Sequence, residues 1–407
     1  MQIPRLGTLA AVAALALLVA CAGGPTRENA RLTPPTPPTP LPAPDFAAYV
    51  AASRAYIERY GTRTSGPLPA ELIRDRGPFE LQPASGCADP PRRGVLLIHD
   101  LGGTPFEMRD LGERLRAACF KVRAILLPGH GTAVGDLGEV TGEAWREAVA
   151  RGRASFAGEV QSVAIAGFGL GATLAVLGAD DPGEPPVDAL ILIAPRLAAP
   201  GFGFGLDGLF TTNGRAGQYA PGLPNPVRYT SLPARAEATA NALADAAIRD
   251  GRAHDRPVFV VESADDGIAD PEAAWAWFCN GLTGPRRMVW YAKGNAVPGA
   301  CPFVAARASD GFGDVLGFSH VGLPVAPTNP RLGASAPSPF ACDHYGADES
   351  RKWLLCADPA AATNGIRYGA PADAETEEGI VRTLGWNPDF DQMADDIVAF
   401  LGRPGTR

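Results

Sequence analysis

With 407 residues, 46% of them hydrophobic, the chain can bury one large core or two ordinary ones. Its net charge of −8 is modest and mixed, and with no basic stripe it lacks the electrostatic footprint of a nucleic-acid binder. Lys121, Lys293 and Lys352 are its only lysines, and the arginine excess reads as coding bias rather than phosphate recognition.

At the N-terminus, Arg5 precedes an apolar run from Leu6 to Ala20. That run is short for a mature transmembrane helix and suits a secretory h-region. It closes on Leu18-Val19-Ala20-Cys21, which resembles a bacterial lipoprotein lipobox. The resemblance implies removal of a signal peptide over 1–20, lipidation of Cys21, and a lipid-anchored place in the bacterial cell envelope facing the periplasm. An ordinary signal peptide with a chance cysteine is the alternative. Residues 21–45, with repeated Thr-Pro-Pro, read as a stiff solvated tether. Six cysteines remain, an even number for an oxidising compartment, and disulfides are expected, with Cys279–Cys301 and Cys342–Cys356 the preferred pairs. No C-x-x-C pair and no histidine at ligand spacing is present, so neither a metal nor a cofactor is expected.

The domain proper is expected over 46–407. Residues 46–60 carry apolar side chains at helical spacing, with Gly61 suited to a C-cap. From Gly94 onward, short β-branched runs alternate with Ala/Leu/Arg helices, the pattern of a mostly parallel sheet covered on both faces. Strands are expected over 94–99, 121–127, 162–166, 189–194 and 257–262, and helices over 106–118, 145–156 and 170–179. The interval from about 196 to 256 begins glycine-rich and ends as an alanine-rich helix over 234–250, which suits an inserted lid. A cysteine-bearing extension over about 322–385 leads to a final amphipathic helix with Phe390, Met393, Ile397, Phe400 and Leu401 on one stripe.

The chemistry centres on Gly167-Phe168-Gly169-Leu170-Gly171, an apolar strand running through a glycine turn into a helix. This is the layout of the G-x-S-x-G nucleophile elbow, but Gly169 stands at the serine and cannot attack a carbonyl. The loop at His99-Asp100-Leu101-Gly102-Gly103 follows an apolar strand. With the residue after the elbow, it would supply the oxyanion-hole N–H groups, those of Leu101 and Leu170. Asp266 is the preferred triad acid, with Asp265 the near alternative and Asp270 read as a helix N-cap. His320, at the end of an apolar run closing on Phe318-Ser319, is the base candidate; His130 is read as bracing loops. The order 169, 266, 320 is that of nucleophile, acid and base.

Together with Gly94–His99, Leu127-Pro128-Gly129-His130-Gly131-Thr132, Trp145 and Leu384–Phe390, these residues resemble bacterial α/β-hydrolases of the serine hydrolase type, near monoacylglycerol lipases, lysophospholipases and carboxylesterases. The resemblance implies an α/β-hydrolase fold and cleavage of acyl esters through an acyl-serine. Gly169 for serine, and Asp100 where a glycine is common, depart from it. Impaired or absent catalysis is therefore expected, with the membrane and an apolar ligand such as an acyl ester as partners. Two alternatives stay open: a hydrolase that uses a His320-activated water, and a non-enzymatic envelope lipoprotein binding a ligand or another protein. Thr104 or Thr173 as a substitute nucleophile is a minor further option.

Overall fold

Alternate residues of the central strands face opposite sides of one sheet, and both sides are apolar. In the computed structural model, described over residues 37–61, 67–88, 91–197, 225–229, 232–250, 255–336, 340–342, 344–345, 350–358 and 365–402, eight strands pair in the order β1-β3-β2-β4-β5-β6-β7-β8. They are β1 (Phe79–Leu81), β2 (Arg93–Ile98), β3 (Lys121–Ile125), β4 (Ser162–Phe168), β5 (Val187–Ile193), β6 (Val258–Ser263), β7 (Arg286–Ala292) and β8 (Val304–Ala308). Only β1 runs antiparallel, against β3; the other pairings are parallel. The strands at β1, β7 and β8 were not expected from the sequence; charged residues and a short length obscure their periodicity.

Within β2, Leu96 and Ile98 join a core with Trp145, Ile165 and Leu174, while Val95 and Leu97 join a second core with Leu111, Ala166 and Ile397. Helices α1 (Phe46–Tyr60), α2 (Arg109–Ala117), α3 (Gly142–Ala154), α4 (Leu170–Gly178), α5 (Ala234–Asp250), α6 (Pro271–Ala276) and α7 (Phe390–Leu401) cover these faces. A sheet buried on both sides explains why its strands read as continuous apolar runs. In α7, Phe390, Met393, Ile397, Phe400 and Leu401 are all buried.

Two regions differ from the sequence reading. The end of the proline-rich stretch lies on the domain: Thr39 Oγ1 accepts from Gly129 N at 3.0 Å, and Tyr56 donates to the Pro37 carbonyl at 3.1 Å. An extended backbone without internal hydrogen bonds has carbonyls and side chains free to be captured by loops. The extension also builds a sheet of its own, β10-β11-β9, from β9 (Phe340–Ala341), β10 (Ile366–Gly369) and β11 (Ile380–Leu384). Disulfides join Cys87 to Cys119, Cys279 to Cys301, and Cys342 to Cys356. The first pairing had no signal in sequence spacing, because its partners are 32 residues apart. The leader, Cys21 and much of the lid interval lie outside the described residues, within which no helix is long and apolar enough to cross a membrane.

Candidate active site

Four loops at the C-terminal ends of the sheet converge, the usual place for a site in a parallel α/β sheet. The tightest is the turn between β4 and α4, which consists of Gly169 alone, at φ 55° and ψ −116°. Its neighbours allow close approach of strand and helix: a Cβ on Gly167 would overlap the Gly171 carbonyl, and one on Gly171 the Ile98 carbonyl. The backbone is thus that of a nucleophile elbow, with its positive φ.

A Cβ on Gly169 would not point into open space. It would overlap Oδ1 and Cγ of Asp100. Asp100 comes from the loop after β2, and its carboxylate occupies the space that a side chain at residue 169 would take. Oδ1 accepts the Leu170 N–H at 2.8 Å, so one expected oxyanion donor is engaged by the protein itself. Oδ2 lies 3.3 Å from His320 Nε2 and 2.6 Å from the Arg228 guanidinium. The same guanidinium donates to Glu107 Oε1 at 2.8 Å. Leu101, the other expected donor, is buried in this loop.

Asp266 and His320 are together. His320 Nδ1 donates to Asp266 Oδ2 at 2.6 Å, and Asp266 Oδ1 accepts from the backbone of Ile268 and Ala269 at 2.7 and 2.9 Å. Asp265, the alternative acid, turns away to accept from Ser309 at 2.9 Å and to face Lys293. Asp270 caps α6 through Ala273 N. Ser263 Oγ donates to the Phe318 carbonyl at 2.8 Å, tying the acid loop to the base loop.

The extension supports His320. Leu316 N donates to the Tyr368 carbonyl at 2.7 Å, Tyr368 N to the Asp314 carbonyl at 2.9 Å, and Ser319 Oγ to the Leu384 carbonyl. Its strands thus flank the base loop, a role that cysteine content and spacing did not signal. His130 Nε2 accepts from Gly102 N at 3.0 Å while its Nδ1 faces the Leu127 and Pro128 carbonyls, so it links two loops. Thr173 Oγ1 donates to the Arg196 carbonyl. Thr104 Oγ1 is buried in the β2 loop with no hydrogen-bond partner among the described residues.

Residues 225–229 cross this site as a strap. Arg76 donates to the Pro226 carbonyl at 2.8 Å, Tyr229 N to the Gly102 carbonyl at 2.7 Å, and the Tyr229 ring stacks on His130. Thr132 N donates to the Tyr229 hydroxyl at 3.0 Å.

Burial opposes charge on every member of the cluster, so the partners decide each charge. For His320, burial disfavours the imidazolium, but Asp266 and Asp100 together outweigh it and push its pKa up to about 10. For Asp100, burial favours the acid form, yet the Arg228 charge and the His320 hydrogen bond hold it well below the usual carboxylate range. Glu107 has no such excess of support: burial, opposed by Arg228 and reinforced by the Asp100 charge, raises it to about 7. Its Oε2 is buried without a hydrogen-bond partner among the described residues. In the sequence Asp100 stands out only as a departure from the family pattern, and Glu107 and Arg228 carry no signal; their pairing spans the fold and leaves no local pattern.

Comparison of the chain with protein families finds no matching family. A thermostable monoacylglycerol lipase of Bacillus sp. (strain H-257) is 30% identical over 115 residues, 28% of this chain and 45% of that enzyme, so the chain spans less than half the length of that curated relative. Similar solved structures include a monoacylglycerol lipase of Paleococcus ferrophilus, at TM-score 0.41 and 19% identity over 53% of this chain and 88% of that one. Another is a soluble variant of monoglyceride lipase from Saccharomyces cerevisiae with a substrate analogue, at TM-score 0.40 and 14% identity over 53% and 82%. Over the 115 matched residues the chain resembles that monoacylglycerol lipase, and its central sheet is eight-stranded and mostly parallel.

Proposed function

We propose that this chain is a lipid-anchored envelope protein of the monoacylglycerol lipase and esterase type whose centre does not perform acyl-serine chemistry. One observation carries the reading: the Asp100 carboxylate fills the place of the missing side chain and takes up the Leu170 N–H. An ester carbonyl needs a nucleophile at residue 169 and a free oxyanion hole, and both are lost together. The anchor rests on the pattern ending in Cys21.

The alternative of a His320-activated water is less well supported. A general base must be unprotonated, and a histidine held up to about 10 by two carboxylates carries its proton at neutral pH. Its Nε2 also faces Asp100 rather than an open position.

The test uses the full chain on short and medium acyl esters, together with a fluorophosphonate probe. The parent is expected to give neither hydrolysis nor labelling. Gly169→Ser alone is also expected to stay silent, because its Cβ would collide with Asp100. The pair Asp100→Gly with Gly169→Ser is expected to gain labelling. Ester hydrolysis by the parent that His320→Ala abolishes overturns the reading.

A further inference from the structure

Among the described residues, seven large hydrophobic side chains are exposed, and three of them, Ile268, Val297 and Phe312, fall on the loops that follow β6, β7 and β8. These strands are neighbours and run parallel, so the loops that follow them start from one edge of the sheet, its C-terminal edge. We propose that this loop cluster docks on the lipid bilayer that carries the Cys21 anchor, with Ile268, Val297 and Phe312 entering the bilayer's interfacial zone. The inference rests on the reading that Cys21 is lipidated.

The three loops are tied into one surface. Asp265, after β6, accepts from Ser309, after β8, at 2.9 Å and faces Lys293, after β7, at 3.7 Å. Gly294 N donates to Asp310 Oδ1 at 3.1 Å. Ile268, Val297 and Phe312 are 41%, 46% and 37% exposed, and the Phe312 ring rests against the buried Phe318 ring. The cluster is a set of tips rather than a groove: a Cβ added at Gly267, Gly294, Gly299 or Gly313 would meet no atom within 4 Å. Separate apolar tips suit a fluid surface that closes around each of them, whereas a folded partner needs a shape matched to all of them at once.

The chain enters the domain at the same edge. Thr39 Oγ1 accepts from Gly129 N in the loop that follows β3, and Tyr56 holds the Pro37 carbonyl. In the sheet order β3 and β8 are six places apart, about 29 Å at roughly 4.8 Å per strand. From Pro37 back to Cys21 the chain spans at most about 56 Å, at roughly 3.5 Å per residue. A lipid on Cys21 therefore keeps the domain within one tether length of the bilayer, with the edge that bears these loops nearest the point of attachment. Docking is then an intramolecular step at high effective concentration, so a contact too weak to hold a free protein suffices.

Charge does not drive the contact. Asp310 and Asp314 are exposed on either side of Phe312, and Lys293, the cation beside them, is already paired with Asp373 and Asp265. With a net charge of −8 on the whole chain, an anionic surface is disfavoured and the contact rests on apolar burial.

The experiment reconstitutes the full chain in phosphatidylcholine vesicles with a nitroxide label at Val297→Cys, at Phe312→Cys or, as a control, at Phe303→Cys. Phe303 is 64% exposed but precedes β8, at the opposite end of that strand from Phe312. The six domain cysteines are in disulfides, so the label reports the introduced site. Labels at positions 297 and 312 are expected to lose most of their collisions with a water-soluble nickel chelate and to gain collisions with oxygen; the label at 303 is expected to keep its aqueous pattern. Labels at 297 and 312 as aqueous as the one at 303 overturn the proposal, as does a contact seen only when phosphatidylglycerol is added. Dipolar coupling between labels on two copies also overturns it, by making the cluster a self-contact of this chain. Labelling of the unsubstituted chain at Cys21, whose sulfur lipidation would block, removes the anchor reading instead, so the two failures are separable.

Discussion

The two sides of the site differ in what holds them. On the acid–base side, Asp266 receives two backbone N–H groups from its own loop and one from His320, an arrangement any triad acid could share. On the nucleophile side, Gly169 carries no side chain and the Asp100 carboxylate occupies the space beside it, held by Arg228 and, through Arg228, by Glu107. A buried turn without a side chain leaves space that must be filled. Filling it with a charge commits further residues, because a buried charge without a partner is costly.

Arg228→Ala tests that dependence most severely. It leaves Asp100 buried with one cation fewer, and a loss of about 3–5 kcal/mol is expected from urea unfolding. Combining it with Asp100→Gly should recover most of that loss; no recovery would mean that the strap, not the charge, was at stake.

Gly169→Ser is expected to cost about 1–3 kcal/mol by overpacking against Asp100, seen as a lower melting temperature. A second change, Asp100→Gly, should relieve it. A single variant as stable as the parent would show that the carboxylate can move aside freely.

The pH dependence separates the two sides. His320 is raised from 6.5 to about 10, so its contribution to stability is full below pH 6.5 and lost as pH rises through 10. Glu107, raised from 4.5 to about 7, favours the folded state in its protonated form, and that contribution is lost as pH rises from 4.5 through 7. The urea midpoint should therefore fall in two stages. His320→Gln should remove the upper stage and leave the lower one.

The smallest effect is expected from Ser309→Ala. It removes one hydrogen bond to Asp265, which still faces Lys293, and should change stability by about 1 kcal/mol or less. It should leave the two-stage pH profile unchanged; an altered upper stage would mean that Asp265 shares the acid's role.

The sequence by itself determined the alternation of strands and helices, the elbow turn, and the order of residue 169, Asp266 and His320. These are local facts: an apolar run specifies a buried strand, a glycine turn specifies a tight connection, and a carboxylate or histidine just beyond a strand lies at the sheet's C-terminal edge. Only the tertiary structure decided what occupies the space at Gly169. Asp100 reaches Leu170 across 70 residues of chain and Arg228 across 128. It also placed the extension against the base loop, with Leu384 accepting from Ser319 across 65 residues. Contacts at such separations are set by how strands are ordered and how loops converge above them, and no local periodicity encodes that convergence.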